Sequence, residues 1–230
     1  MPRTACCGSP ATCTLADVVI GVPTPYLQFV RDEMRTDFHV SSQDCLNQLK
    51  GAFTGAISPE MILDNGATWA IVGHSERREM FGEDNEVVAV KTAFAVANGL
   101  SVMSCVGEKK EDREAEKTFE VVDAQMAAIA AKVTGEAWAK VVIAYEPVCA
   151  IGTGLTASPE QAQDVHAHIR GWLKENVSAE VADATRILYG GSVKPANCQE
   201  LAKCADIDGF LVGGASLKPD FISVINAETA

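Results

Sequence analysis

The chain has 230 residues, 47% hydrophobic and 22% charged, the balance of a soluble globular protein long enough to bury a sizeable core. Its formal net charge of −12 argues against nucleic acid and anionic membrane surfaces as partners. An anionic ligand would also be repelled at long range, so any anion site must be built from local donors.

The first sixteen residues, MPRTACCGSPATCTLA, read as an atypical N-terminal segment set apart from the domain at 17–230. They lack the unbroken apolar core of a signal peptide, and no later run reaches transmembrane length, so a cytoplasmic, reduced setting is expected. Cys6, Cys7 and Cys13 crowd this segment without a histidine beside them, and no metal is expected there. The chain's 8 cysteines include no CxxC pair and are too sparse for a disulfide scaffold.

From residue 17 short apolar, β-branched runs alternate with longer helical patterns. The predicted strands are DVVIGV (17–22), FHVSSQ (38–43), TWAIVG (68–73), LSVMSCVG (100–107), KVVIAYE (140–146), TRILYGG (185–191) and DGFLVGG (208–214). Their apolar character is nearly continuous, as in parallel strands covered on both faces. In 109–134, Phe119, Val122, Met126, Ile129 and Val133 recur at spacings of three and four, which predicts one apolar helical stripe. Ser158 is a candidate N-cap with Pro159 at the first helical position. Alternating strands and helices without a linker mean an α/β fold, either doubly wound or a barrel. No G-x-G-x-x-G follows the first strand, as a dinucleotide fold would require. The glycines gather instead after later strands, at Gly73, Gly152 and Gly154, Gly190 and Gly191, Gly213 and Gly214. Function at the carboxyl ends of many strands is the (β/α)₈ arrangement, although only seven units can be counted.

The residues that end these strands carry the candidate chemistry. His74 stands at a strand tip with Ser75 placed to cap the helix that follows, where the positive end of the helix dipole would keep the imidazole neutral. Glu146 ends a strand immediately before Pro147 and Gly-Thr-Gly, so it reads either as a solvated strand end or as a base beneath a mobile lid. The glycines after the last two strands would let backbone amides approach an anion closely. A base, an electrophile, a flexible loop and an anion nest on one barrel face make a candidate active site.

The motifs VGHSERREMFGE, YEPVCAIGTG, LYGGSVKPAN and DGFLVGGASLKPDF resemble the triosephosphate isomerase family, in order and at family-like spacing. The stretch VIGVPTPYL…QDC…KGAFTGAISPEM extends the resemblance back to about residue 17. The family is itself the reference case for this kind of pKa tuning, so the roles that follow come with the resemblance. It implies cofactor-free interconversion of dihydroxyacetone phosphate and glyceraldehyde 3-phosphate, with no metal. Glu146 would be the base, and His74 would polarise the carbonyl. The substrate phosphate would rest on amides of Gly152, Ser192, Gly213 and Gly214, while Ser75, Glu76 and Cys105 support the pair. The segment 147–157 would be the lid. Homodimerisation is expected through the loop around Phe53 and Thr54. The match also departs from the family pattern. The family's first strand and helix, with an asparagine and a lysine, have no counterpart, so an eight-unit barrel lacking its first unit is expected, open between 17–22 and 208–214. A catalytically impaired truncated isoform or a non-catalytic isomerase-like protein stands as the alternative to an active isomerase. Cys149, Ala56 and Leu155 stand where the family has tryptophan, glutamate and lysine, and Ala56 is expected to leave Arg77 without a partner.

Overall fold

All seven apolar runs become strands, each shorter than its run. The computed structural model describes residues 16–147 and 158–227. In chain order its elements are β1 (Val19–Val22), α1 (Leu27–Glu33), β2 (His39–Ser42), α2 (Pro59–Asp64), β3 (Trp69–Val72), α3 (Ser75–Phe81), α4 (Asn85–Ala97), β4 (Ser101–Val106) and α5 (Lys110–Glu114). They continue with α6 (Thr118–Lys132), β5 (Val141–Tyr145), α7 (Pro159–Asn176), α8 (Ala179–Ala184), β6 (Ile187–Tyr189), α9 (Cys198–Leu201), β7 (Gly209–Phe210) and α10 (Phe221–Ile225). Every strand pairs parallel with the next, giving one seven-stranded sheet in sequence order. This is the strand order of a (β/α) barrel. Among the described residues β1 pairs only with β2, and β7 only with β6. An ion pair from Arg186, just before β6, to Asp17, just before β1, spans 2.7 Å and joins the amino ends of distant strands as the sheet curls.

The core lies where the apolar runs predict it. Strand β5 is buried along its whole length and β4 along all but its first residue. Val122, Met126 and Ile129 of α6 pack inward as the stripe requires, but the helical stretch breaks into α5 and α6, and Phe119 falls outside the stripe. Its ring is 46% exposed and stacks on His168 of α7 at 4.2 Å between centroids. The inward place belongs instead to Gln125. Helix α7 starts as expected, because the Ser158 hydroxyl accepts from the Gln161 amide and the Gln161 side chain accepts from the Ser158 amide. The predicted 208–214 strand shrinks to two residues and pairs on one side only. No helix among the described residues is long and apolar enough to cross a membrane.

Arg77 does find partners, contrary to expectation. It reaches Asp44 at 3.1 Å and Glu83 at 2.6 Å, and buried Lys91 meets the same two carboxylates at 2.7 Å each. Two cations facing two anions neutralise a cluster that would be costly to bury unpaired, and no glutamate at position 56 is needed.

Candidate active site

The parallel register brings the candidate residues together. Tyr145 of β5 lies opposite Val106 of β4 and Tyr189 of β6, so Glu146, Gly107 and Gly190 follow three neighbouring strands. His74 follows β3, whose Val72 pairs with Ser104 of β4. All four are therefore at carboxyl ends on one face of the sheet. The fit around Glu146 is tight. A Cβ on Gly190 would lie 2.9 Å from Glu146 Cγ, and a Cβ on Gly107 would sit on the Glu146 carbonyl oxygen. Both positions are held open by glycine for this one residue.

Glu146 is only 2% exposed, which decides against a solvated strand end. A carboxylate at that depth is tolerated because donors surround it. The Ser75 amide donates to Oε2 at 3.0 Å, the Ser75 hydroxyl to Oε1 at 3.2 Å, and His74 Nε2 lies 2.9 Å from Oε1. Since the Ser75 hydroxyl serves Glu146, it does not cap α3 as expected. The cap is His74, whose Nδ1 accepts from the Glu76 amide at 3.4 Å.

The expectation that the helix end keeps His74 neutral also changes. Burial lowers its pKa, but the hydrogen bond and charge of Glu146, with Glu76 adding to them, outweigh burial and leave the imidazole above its ordinary value. Glu76 is itself 72% exposed at its side chain, 3.7 Å from Nδ1. Cys105 is fully buried, and burial together with the neighbouring Glu146 pushes its thiol well above the usual range, so it contributes packing rather than a thiolate.

The anion-binding candidates lie at the ends of the adjacent strands β6 and β7. Gly213 and Gly214 are exposed, open the short 3₁₀ turn Gly214–Leu217, and have empty space where a Cβ would stand. Among the described residues the amides of Ser192, Gly213 and Gly214 donate to no acceptor. Ser192 is held through its carbonyl, which accepts from Asn197 Nδ2 at 2.9 Å. Gly152 lies outside the described residues, as do Cys149, Leu155, the lid beyond Pro147, and Cys6, Cys7 and Cys13.

A family model described as triosephosphate isomerase matches residues 7–228, almost the whole chain. The chain belongs to the triosephosphate isomerase family. The match begins ahead of the motifs and takes in every site residue above.

Two residues beside the candidate site carry no role in the motifs. Arg78 is one: its guanidinium donates to the carbonyls of Gly73 at 2.9 Å and Cys105 at 3.1 Å and to the Asn85 side chain at 2.9 Å, tying β3 to β4. Burial pulls its pKa below the usual guanidinium value. Glu108 is another. It has no solvent exposure and is held by the Tyr145 hydroxyl at 3.0 Å and by Arg113 at 2.8 Å. Burial and Glu108 together push the Tyr145 phenol far above its normal range, keeping it a neutral donor. The available signal was a glutamate directly after the apolar run at 100–107.

Proposed function

We propose that this family member interconverts dihydroxyacetone phosphate and glyceraldehyde 3-phosphate through an enediolate, without a cofactor, in the cytoplasm. The observation that carries the reading is the contact of His74 Nε2 with Glu146 Oε1 at 2.9 Å, on a face that also bears three amides with no acceptor among the described residues. An imidazole and a carboxylate so placed can divide the two tasks of the reaction. The Glu146 carboxylate takes the proton from the carbon beside the carbonyl. The electron pair of that C–H bond forms the C=C bond of the enediolate, while the Nε2–H of His74 hydrogen-bonds the oxygen that gains charge. His74 Nε2 gives its proton to that oxygen and takes the hydroxyl proton from the neighbouring oxygen. Return of the first proton to the neighbouring carbon then leaves the new carbonyl and gives the isomer. In the state described here Ser75 and His74 hold the carboxylate, so it must leave them to meet substrate. The amides of Ser192, Gly213 and Gly214, which meet no acceptor among the described residues, would receive the phosphate, as an acidic chain needs local donors for an anion.

Residues 17–230 are read as the working domain, paired as a homodimer. Support for pairing comes from Gly51 to Ala56, which are all exposed, and from the large apolar side chains of Phe53, Met61, Met80 and Phe81 left at the surface. A monomer mass in sedimentation equilibrium at micromolar concentration would count against it.

The decisive variant is Glu146→Asp. Drawing the carboxylate back by one methylene, a misplacement of about 1 Å, should lower kcat by roughly 100-fold while KM changes little. Full kcat in a coupled assay of either triose phosphate would remove Glu146 from the base role.

A further inference from the structure

The inward stripe of α6 contains one residue that an apolar stripe would not choose. Gln125 is 6% exposed among Val122, Met126 and Ile129. Burying an amide is tolerated only when its hydrogen bonds are made. Here both ends are used on a single residue: Gly107 N donates to Gln125 Oε1 at 2.7 Å, and Gln125 Nε2 donates to Gly107 O at 3.0 Å. A side-chain amide carries the same donor and acceptor pair as a peptide unit, so Gln125 acts on Gly107 as a strand edge would.

The location gives this clamp its consequence. Gly107 is the first residue beyond β4, where the sheet ladder ends with the Glu146 amide donating to the Val106 carbonyl at 2.8 Å. The main chains of Gly107 and Glu146 touch so closely that no side chain fits between them. A shift of Gly107 must therefore move Glu146. The next residue, Glu108, is fixed by Tyr145 and Arg113, so the loop is held from two directions. We propose that Gln125 is a positioning residue, which holds Gly107 against the Glu146 main chain and so fixes where the carboxylate stands relative to His74. The proposal deepens the isomerase reading and rests on it for its kinetic consequence.

Two substitutions test it. Gln125→Met keeps the length and an apolar body but leaves both Gly107 groups unpaired. Gln125→Glu keeps the shape, and its protonated carboxyl can still accept from Gly107 N and donate to Gly107 O, whereas its ionised form cannot donate. Both variants and the parent are assayed across pH, well below their melting temperatures. Gln125→Met is expected to lose roughly 10- to 100-fold in kcat with KM within about twofold, the scale of a small misplacement of a catalytic group. Gln125→Glu is expected to approach the parent at acid pH and to lose kcat as pH rises, a limb the parent lacks. Parental kcat in either variant at all pH values, with only a lower melting temperature, overturns the proposal.

A readout independent of turnover is the titration of the His74 imidazole by NMR, held above its ordinary value by contact with Glu146. In Gln125→Met, or in Gln125→Asn, whose shorter amide cannot reach both Gly107 groups, if the methionine variant does not fold, that titration is expected to move down toward an ordinary histidine. An unchanged titration overturns the proposal. A parent without isomerase activity whose His74 titration still moves in the variants would sink the functional reading and leave the clamp standing.

Discussion

Strands β5 and β1 have equally apolar sequences, VVIAY and VIGV, and opposite surroundings. Every residue of β5 is buried between β4 and β6, whereas three of the four residues of β1 are only partly covered. At the other edge both residues of β7 are half-buried, and the apolar side chains of Phe29 on α1 and Ile222 on α10 are 64% and 52% exposed. The difference teaches that in a parallel sheet burial comes from neighbours rather than from composition. A strand with partners on both sides and both faces covered is sealed, while the same kind of strand at an edge leaves main-chain groups and apolar surface open. The candidate catalytic pair sits on the sealed side, at the ends of β3 and β5.

The sharpest way to break this comparison is to make the same truncation in both places. Ile143 in β5 has no exposure, and Ile143→Ala should cost about 2–5 kcal/mol, the range for cavities in a packed core. Ile20 in β1 is partly exposed. Ile20→Ala puts at stake only part of the roughly 1.5–3 kcal/mol of a fully buried side chain, so a cost on the order of 1 kcal/mol is expected. Urea midpoints at unchanged slope measure both. Equal costs would mean that β1 is as well covered as β5.

The same contrast explains what was legible in the sequence. Seven strands and the barrel-type order could be read because burial on both faces writes continuous apolar runs. Strand ends were less legible, since β7 stops where its single-sided pairing stops, and nothing in DGFLVGG marks that point. His74 and Glu146 could be found because strand ends, a proline and glycines frame them. Gln125 could not, because a helix pattern shows which face is inward but not that a polar residue there has found a main-chain partner from a distant loop. The Ser75 cap was misread for a related reason. Its hydroxyl answers to Glu146, 71 residues away in sequence, rather than to its own helix.

A second test uses pH on the sealed side. His166 on α7 has no exposure, meets the Tyr145 ring edge-on at 5.7 Å, and has Nδ1 3.1 Å from the Asp206 carbonyl. Burial drives its pKa from 6.5 down to about 4, although the hydrogen bond to Asp206 and the charge of Asp208 oppose the change. The unfolded chain therefore takes up a proton that the folded chain refuses. Stability is unaffected above pH 6.5, falls as pH drops toward 4, and levels off below that. At about 1.36 kcal/mol per pKa unit the loss is on the order of 3 kcal/mol. His166→Asn, which can keep the donor to Asp206, is expected to flatten this acid limb relative to the parent. An equally steep limb in the variant would show that other groups cause it.

The smallest effect expected is at the open edge, and it is informative because it should be local. The Arg186–Asp17 pair links the amino end of β6 to that of β1, with the two side chains 45% and 61% exposed. Solvent and salt screen such a pair, so its worth to global stability is about 0–1 kcal/mol. Arg186→Gln should therefore shift the urea midpoint by no more than this, and less at high salt. Its mechanical role can be larger than its energy, because among the described residues β1 has a ladder partner on one side only. Amide exchange of Val19–Val22 is expected to quicken in Arg186→Gln, while amides of Val141–Tyr145 keep the parental rate, since the latter open only with global unfolding. If exchange in β5 quickens as much as in β1, the edge is not an independently opening unit and the contrast between the two strands fails. If neither changes, the pair is only a surface contact and does not restrain the start of β1.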